Sequence, residues 1–187
     1  MIDPVVVIII AGCVIPLIWV IVTYNRFIRL KHTIKESWAD IDVELKRRYE
    51  LIPNLVETVK GYAKHEQETF EKITKLRNQA MSNRGSAESQ GRDENALQLG
   101  MRTLFAVAED YPDLKADANF RALQEELANT EDRIAAARRF FNGNVREMRD
   151  LREAFPTSLI GSMMGIEQPT FFELDSEAER VTPKVSV

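Results

Sequence analysis

The sequence predicts an all-α protein in which an N-terminal transmembrane helix continues into an elongated antiparallel helical bundle with coiled-coil-like packing. Three observations support this fold class. An uncharged apolar run of bilayer length lies near the N-terminus. The apolar residues after it recur at steps of three and four, which is helix spacing. Glycine and aromatic residues are sparse while 29% of residues are charged, which disfavours a β-sandwich or barrel.

The first element is a membrane anchor, assigned to residues 1–25. Pro4 opens an uncharged segment, residues 4–25, which at 1.5 Å per residue covers about 33 Å, close to the hydrocarbon thickness of a bilayer. Trp19 and Tyr24 lie toward its end, where amphipathic rings settle at the interface. Three basic residues follow: Arg26, Arg29 and Lys31. Because only Asp3 precedes the run, the positive-inside rule predicts an outside N-terminus and a cytoplasmic remainder.

The lone cysteine, Cys13, lies inside this anchor. Residues 10–13 loosely resemble a bacterial lipobox, which would make Cys13 a lipidated N-terminus. No Lys or Arg precedes it, however, and the apolar run continues well past it, so we expect a cysteine packed in a membrane helix. A cleaved signal peptide is disfavoured on the same grounds. A single cysteine also excludes an intrachain disulfide framework.

A long helical segment is predicted over about residues 26–80. Its apolar stripe consists of Ile34, Trp38, Ile41, Leu45, Ile52, Val56, Val59, Ala63, Phe70 and Ile73. Pro53 lies in the middle of this stripe, where a proline removes one helix hydrogen bond. The stripe keeps its phase through Pro53, so we predict that Pro53 kinks the helix or starts a new segment in the same direction, and does not reverse the chain.

The remainder of the chain is predicted to form a loop, three further helices and a tail. Residues 81–95 are polar with two glycines and favour a loop. Helices follow at about 96–109, 117–154 and 158–166. The second carries a regular stripe of Phe120, Leu123, Leu127, Thr130, Ile134, Ala137 and Phe141. The bundle is thus assigned to residues 26–166, and residues 167–187, with a net charge of −3, to a flexible acidic tail.

No catalytic, cofactor or metal site is predicted. The residues three positions before His32 and His65 are Arg29 and Tyr62, so the Glu-x-x-His pair of carboxylate-bridged metal sites is missing. No phosphate-binding glycine loop or nucleophile elbow is present in the sequence. The net charge of −4 argues against nucleic acid as a partner. We therefore expect a non-enzymatic protein without a cofactor.

Two sets of residues are candidate interface residues. Lys46, Arg47 and Arg48 follow one another and either pair within the bundle or meet acids on a neighbouring protomer or partner. The second set is apolar and lies near the C-terminus: Leu159, Met163, Met164, Phe171 and Phe172. Exposed apolar patches of this kind mark interfaces.

The sequence resembles the LemA family of bacterial membrane proteins. The resemblance lies in Tyr24-Asn25, in WADIDVELKRR (38–48) and in YELIPNLVETVKGYAKHE (49–66). It continues in NFRALQEEL (119–127), TEDRIA (130–135), FFN (140–142) and Phe155-Pro156. It implies a single-pass anchor in the bacterial inner membrane, a cytoplasmic helical bundle and no established enzyme activity. This chain has Met148-Arg149 where the family often has a second Tyr-Asn pair.

Two functions from different classes follow. The first is a self-assembling scaffold, a homo-oligomer that organises or shapes the inner membrane, as the resemblance to a family with a magnetosome-membrane member implies. The second is a membrane-tethered adaptor that docks a soluble partner protein. The lengths of the apolar stripes favour the scaffold, because a thin bundle does not need so much apolar surface.

Overall fold

The structure, a computed structural model, describes residues 3–173, apart from the side chains of residues 6–9. Helices make up 84% of the described residues, among which there is no strand. The helices are α1 (Pro4–Lys60), α2 (Gln67–Ser82), α3 (Ala87–Glu109), α4 (Pro112–Ala116), α5 (Ala118–Glu153) and α6 (Thr157–Met163). The predicted all-α class, with a long apolar N-terminal helix, is confirmed.

The described chain divides into two compact units. Residues 3–40 and 139–169 form the first, here called the stem unit, and residues 41–138 and 170–173 form the second, here called the bundle unit. Helices α1 and α5 contribute to both.

In the stem unit, α1 and α5 run antiparallel. The Trp38 and Phe141 rings lie 5.3 Å apart, and Arg26 pairs with Glu147 at 2.9 Å. The residue numbers of the α5 partners therefore increase as those of the α1 partners decrease, which is the order of antiparallel helices. Helix α6 packs onto this pair through a buried core of Phe27, Leu30, Met148, Leu151 and Ile160.

In the bundle unit, the last part of α1 packs with α2, α3 and α5 in alternating directions. The hairpin of α1 and α2 places the Lys60 ammonium 5.8 Å from the centre of the Phe70 ring. The hairpin of α2 and α3 pairs Gln79 with Asp93 at 2.7 Å. Helix α5 returns along α1 and pairs Glu126 with Arg47 near the middle of this segment. This is an up-down-up-down four-helix arrangement.

The apolar stripes predicted from the sequence form the cores of the two units. Eight of the ten positions in the first stripe are buried, from Ile41 to Ile73, while Ile34 and Trp38 are half-buried. In the second stripe Phe120, Leu127 and Ile134 are buried. Helical spacing thus identified which face of each long helix packs inward.

The predicted single helix over residues 26–80 is two helices. Pro53 lies inside α1, which continues through it to Lys60, and the chain turns at residues 61–66 before α2 begins. Ala63, in the turn, is completely buried. Because Ala63 occupies a core position, the apolar spacing continues across the turn and hides the reversal.

The start of α3 also differs from the sequence-based prediction. The structure begins this helix at Ala87, whereas residues 81–95 were predicted to be a loop. The side chain of Ser86 caps the helix by accepting a hydrogen bond from the Ser89 N–H at 3.2 Å. The buried residues of the first turns are Gln90, Gly91 and Glu94, so apolar periodicity cannot detect this part of α3.

The predicted tail begins later than residue 167. Residues 170–173, here called the C-terminal segment, belong to the bundle unit, and Phe172 is completely buried there. The Glu173 carbonyl oxygen would lie 2.5 Å from a Cβ added to Gly91, so α3 and this segment approach closely. The rest of the predicted tail, residues 174–187, lies outside the described residues.

Candidate functional site

The centre of the bundle unit holds a buried ion pair. The side chains of Arg48 on α1 and Glu94 on α3 are both fully buried, and the guanidinium donates a hydrogen bond to the carboxylate. Arg48 also donates to Glu131 on α5 at 2.8 Å. One arginine thereby connects three helices of the bundle. A buried charge is tolerated only when it is paired in this way.

Tyr49 and Gln90 complete the network around Glu94. The Tyr49 hydroxyl donates a hydrogen bond to one carboxylate oxygen of Glu94. Gln90 Nε2 lies 2.7 Å from the same oxygen and 3.0 Å from the carbonyl oxygen of Ala80 on α2. Glu94 therefore has three donor groups, from Arg48, Tyr49 and Gln90, and its side chain has no accessible surface. Helices α1, α2, α3 and α5 therefore all contribute to the network.

The pKa values within the network follow from burial and charge. Burial alone would lower the pKa of Arg48, but the carboxylates of Glu94 and Glu131 outweigh it and raise that pKa. Burial is the main cause that raises the pKa of Tyr49, and the Glu94 carboxylate raises it further. Arg48 therefore stays charged and Tyr49 stays protonated at neutral pH. Neither group is suited to proton transfer there.

Pro53 leaves a backbone acceptor that a side chain of α2 occupies. Because Pro53 has no N–H, the carbonyl of Tyr49, four residues earlier, loses its helical hydrogen bond. Arg77 Nε donates to that carbonyl oxygen at 2.6 Å. The proline thus leaves a free carbonyl oxygen beside the buried network, and the hydrogen bond from Arg77 to this oxygen connects α2 with α1.

The neighbouring bases Lys46 and Arg47 lie at the surface. Lys46 pairs with Asp42 at 2.6 Å, one turn earlier on α1, and Arg47 pairs with Glu126. Arg48, by contrast, is fully buried, so its side chain is not available to a partner in this fold. Within residues 3–173, all three bases have intramolecular partners. The partner contacts of Lys46 and Arg47 remain predictions.

Glu94, Gln90 and Glu131 are not among the site residues predicted from the sequence. One signal was present on α1: Leu45 and Ile52 are seven residues apart, and Arg48 occupies the intermediate position of the apolar stripe. A charge at a core position requires a buried partner. No signal identified Glu94 as that partner.

The network has the composition of a structural site. Among residues 3–173, no group of three or more His, Cys, Asp and Glu side chains could hold a metal ion. Buried, well-paired polar groups fix helix register, because any slip would leave a charge unpaired. The ion pairs of Arg48 with Glu94 and Glu131 thereby disfavour other registers of α1, α3 and α5.

The second region of interest is the N-terminal part of α1. Pro4 is its first residue, and Asp3 accepts a hydrogen bond from the Val5 N–H at 3.0 Å. The helix is long and apolar enough to cross a membrane, the one such helix found in residues 3–173, and 11% of its 18-residue apolar window is buried. The core helix of a soluble protein would be mostly buried.

The predicted anchor residues at the end of the apolar run differ in environment. Trp19 packs against the stem core, and Tyr24 is 47% exposed. Arg26 pairs with Glu147, while Arg29 and Lys31 are exposed. A cavity of about 630 Å³ lies between this part of α1 and residues 164–169.

The apolar interface candidates near the C-terminus also differ in environment. Leu159 and Met163 on α6 are exposed, and Met164, which follows the helix, is half-buried. Phe171 is half-buried and Phe172 is buried in the bundle unit. Of this set, Leu159 and Met163 present the most surface. Their role as an interface remains a prediction.

The fold and these two regions define a helical-bundle protein with an N-terminal helix of membrane-crossing length. The sequence profile of the LemA family matches residues 37–187. The chain belongs to the LemA family. It is 26% identical over 157 residues to "Protein LemA" of Metamycoplasma hominis, an alignment that covers 84% of this chain and 71% of that protein.

Proposed function

We propose that this protein is a self-assembling scaffold that α1 anchors in the bacterial inner membrane, with its N-terminus outside and its helical bundle in the cytoplasm. Copies anchored in parallel share one orientation and can pack side by side, which is the geometry of rings and closed assemblies. In this role the protein organises or shapes the membrane without catalysing a reaction.

The observation that carries this proposal is the continuity of α1 from the apolar run, residues 4–25, to the residues that pack in the stem core. The helix begins at Pro4 and includes Phe27 and Leu30, which lie in the stem core with α5 and α6. Over the described residues from Pro4 to Leu30, α1 is one uninterrupted helix. An adaptor that searches for soluble partners benefits from a flexible tether, whereas a scaffold needs the anchor to fix the orientation of the stem unit.

The buried network supports the same proposal. A bundle that carries lateral contacts between copies must keep one register of its helices. The ion pairs of Arg48 with Glu94 and Glu131 penalise any other register, since a slip would leave a charge buried without a partner.

The experiment is an insertion at the exit from the apolar run. A flexible Gly-Ser segment of seven residues is inserted after Asn25. The matched control is a helix-forming segment of the same length, which adds about two turns and so keeps the phase of the helix. Both variants are reconstituted into liposomes, and assembly size and vesicle shape are recorded by electron cryomicroscopy. We expect the helical insertion to retain the assemblies of the wild type and the flexible insertion to lose them.

The opposite result would favour the adaptor. If both insertions leave assembly size and vesicle shape as in the wild type, the orientation that α1 gives to the stem unit is irrelevant to assembly. If the wild-type protein forms no assemblies larger than a dimer, the scaffold proposal fails regardless of the insertions.

The adaptor function has one observation in its favour. The C-terminal segment is held against α3, with the Glu173 carbonyl oxygen 3.5 Å from Asn95 Nδ2. Glu173, which precedes the acidic residues in the sequence, is thereby held at α3. Under this alternative, deletion of residues 175–187 abolishes capture of a soluble partner and leaves assembly size unchanged. Retained capture would exclude the tail as the docking element.

A further inference from the structure

The outward side of α6 is apolar. Leu159 and Met163, one helical turn apart, are 57% and 86% exposed, and Phe155, in the turn before α6, is 83% exposed. Single exposed apolar residues are common, but three within nine residues form a patch. The surrounding residues 154–166 carry no charge. This stretch is thus apolar on both its packed side and its exposed side.

The inward side of α6 fixes its position beside the apolar run of α1. Ile160 lies in the buried stem core with Phe27 of α1, and Trp19 packs against the same core. Trp19 belongs to the uncharged residues 4–25. Helix α6 therefore lies at the level where α1 changes from apolar to basic, and not further along the stem.

The charge of the surrounding surface suits an anionic membrane. Residues 24–40 and 139–169 contain eight Lys and Arg against six Asp and Glu, a formal net of +2, although the whole chain carries −4. Arg29 and Lys31 are exposed near the start of this region. Basic groups within a Debye length of an anionic leaflet are attracted to it.

We propose that α6 is a second membrane contact, in which Phe155, Leu159 and Met163 lie in the interfacial layer of the leaflet from which α1 emerges. The proposal rests on the membrane anchoring proposed above. Interfacial helices bury their apolar face about 5–10 Å into the boundary between headgroups and acyl chains. A seven-residue helix binds membranes poorly alone, but the anchor holds α6 at the surface and makes its docking intramolecular.

This contact gives the anchor an orientation. One spanning helix is free to tilt and to rotate about its axis, since packing and interfacial anchors are what set these angles. A second contact on one side of α1 restricts both motions. The stem would then leave the membrane at a defined angle, which a scaffold requires.

The test uses fluorescent labels on the full chain in membranes. Cys13 is replaced by Ser, and a single cysteine is introduced as Leu159→Cys or, as the matched control, Phe140→Cys. Both native side chains are apolar and 57% exposed, and both lie in the stem unit. Phe140 adjoins Phe141, which packs on Trp38, so it lies about 20 Å along α1 from the end of the apolar run.

Each variant carries an environment-sensitive fluorophore and is reconstituted into phosphatidylcholine and phosphatidylglycerol vesicles that contain a headgroup-nitroxide lipid. We expect blue-shifted emission and several-fold stronger nitroxide quenching at position 159 than at position 140. Equal, weak quenching at both positions would overturn the proposal. A blue shift at 159 without lipid quenching, which changes with the protein-to-lipid ratio, would also overturn it and would assign the patch to a second copy.

Flotation of the same samples separates the two proposals. If the protein floats with the vesicles and position 159 is not quenched, the anchor stands and α6 is not a membrane contact. If the protein does not float, the anchoring fails and this inference fails with it. If Leu159→Cys does not fold by circular dichroism, Met163→Cys replaces it in the same comparison.

Discussion

Replacement of Arg48 by Met tests whether the buried network holds the bundle together. The substitution removes the cation that pairs with Glu94, whose side chain is fully buried. Removing one partner of a buried ion pair costs roughly 3–5 kcal/mol, because the other charge stays without compensation. Glu94 keeps the hydrogen bonds from Tyr49 and Gln90. The lower end of that range, about 3 kcal/mol, is therefore expected.

The adjacent base provides a matched control. Arg47→Met makes the same chemical change one residue away, in an ion pair with Glu126 whose two side chains are 42% and 39% exposed. Exposed pairs contribute about 0.2–1 kcal/mol. In a domain of this size 1 kcal/mol corresponds to a change in Tm of about 2–4 °C. The expected losses are thus about 6–12 °C for Arg48→Met and at most about 4 °C for Arg47→Met.

The assay is thermal unfolding of the full chain in mild detergent, followed by circular dichroism at 222 nm. A third variant, Arg48→Met with Glu94→Gln, removes both charges, so we expect it to lose less than the sum of the two single losses. The stabilising role of the network is refuted if Arg48→Met is no more destabilising than Arg47→Met. It is also refuted if the double variant is fully additive.

Three further predictions concern the bundle unit. Arg77→Leu should lower the free energy of unfolding by about 1–3 kcal/mol, because the Tyr49 carbonyl loses its donor. In a Pro53→Ala background, where the helix N–H returns, the same change should cost less, and equal costs in urea unfolding would contradict this. The Phe120 N–H and then the Tyr62 hydroxyl hold the pKa of Asp117 below its usual value. The stability that Asp117 contributes is therefore present above a pH of about 3.9 and is lost as the pH falls through its lower folded pKa. The difference in Tm between the wild type and Asp117→Ala should therefore vanish in acid. A difference in Tm that is independent of pH would contradict this assignment. Gly91→Ala should release the C-terminal segment, because the new Cβ would lie 2.5 Å from the Glu173 carbonyl oxygen, and unchanged hydrogen exchange at residues 170–173 would contradict this.

The sequence identified the packing faces of the long helices because burial of apolar residues determines them. Ile41, Ile52 and Ile134 lie in the predicted stripes and are almost completely buried. The turn at residues 61–66 was missed for the same reason, since the buried Ala63 preserves the spacing. Periodicity records which residues are buried, and it does not record the direction of the chain.

The network could not be predicted in the same way. Three consecutive bases point in different directions on a helix, and only the positions of their partners decide which one is buried. Glu94 and Gln90 belong to a polar stretch that is typical of a loop, but they face the core because Arg48 and Tyr49 are there to bind them. Buried polar pairs depend on tertiary packing, so a single sequence carries little trace of them.

The most direct test of the scaffold is the mass and shape of the full-length protein, gently solubilised with its anchor, by light scattering and negative-stain imaging. We expect a uniform particle of many copies, with the apolar helices gathered at one side. A monodisperse monomer or dimer would contradict it and leave the adaptor as the working function.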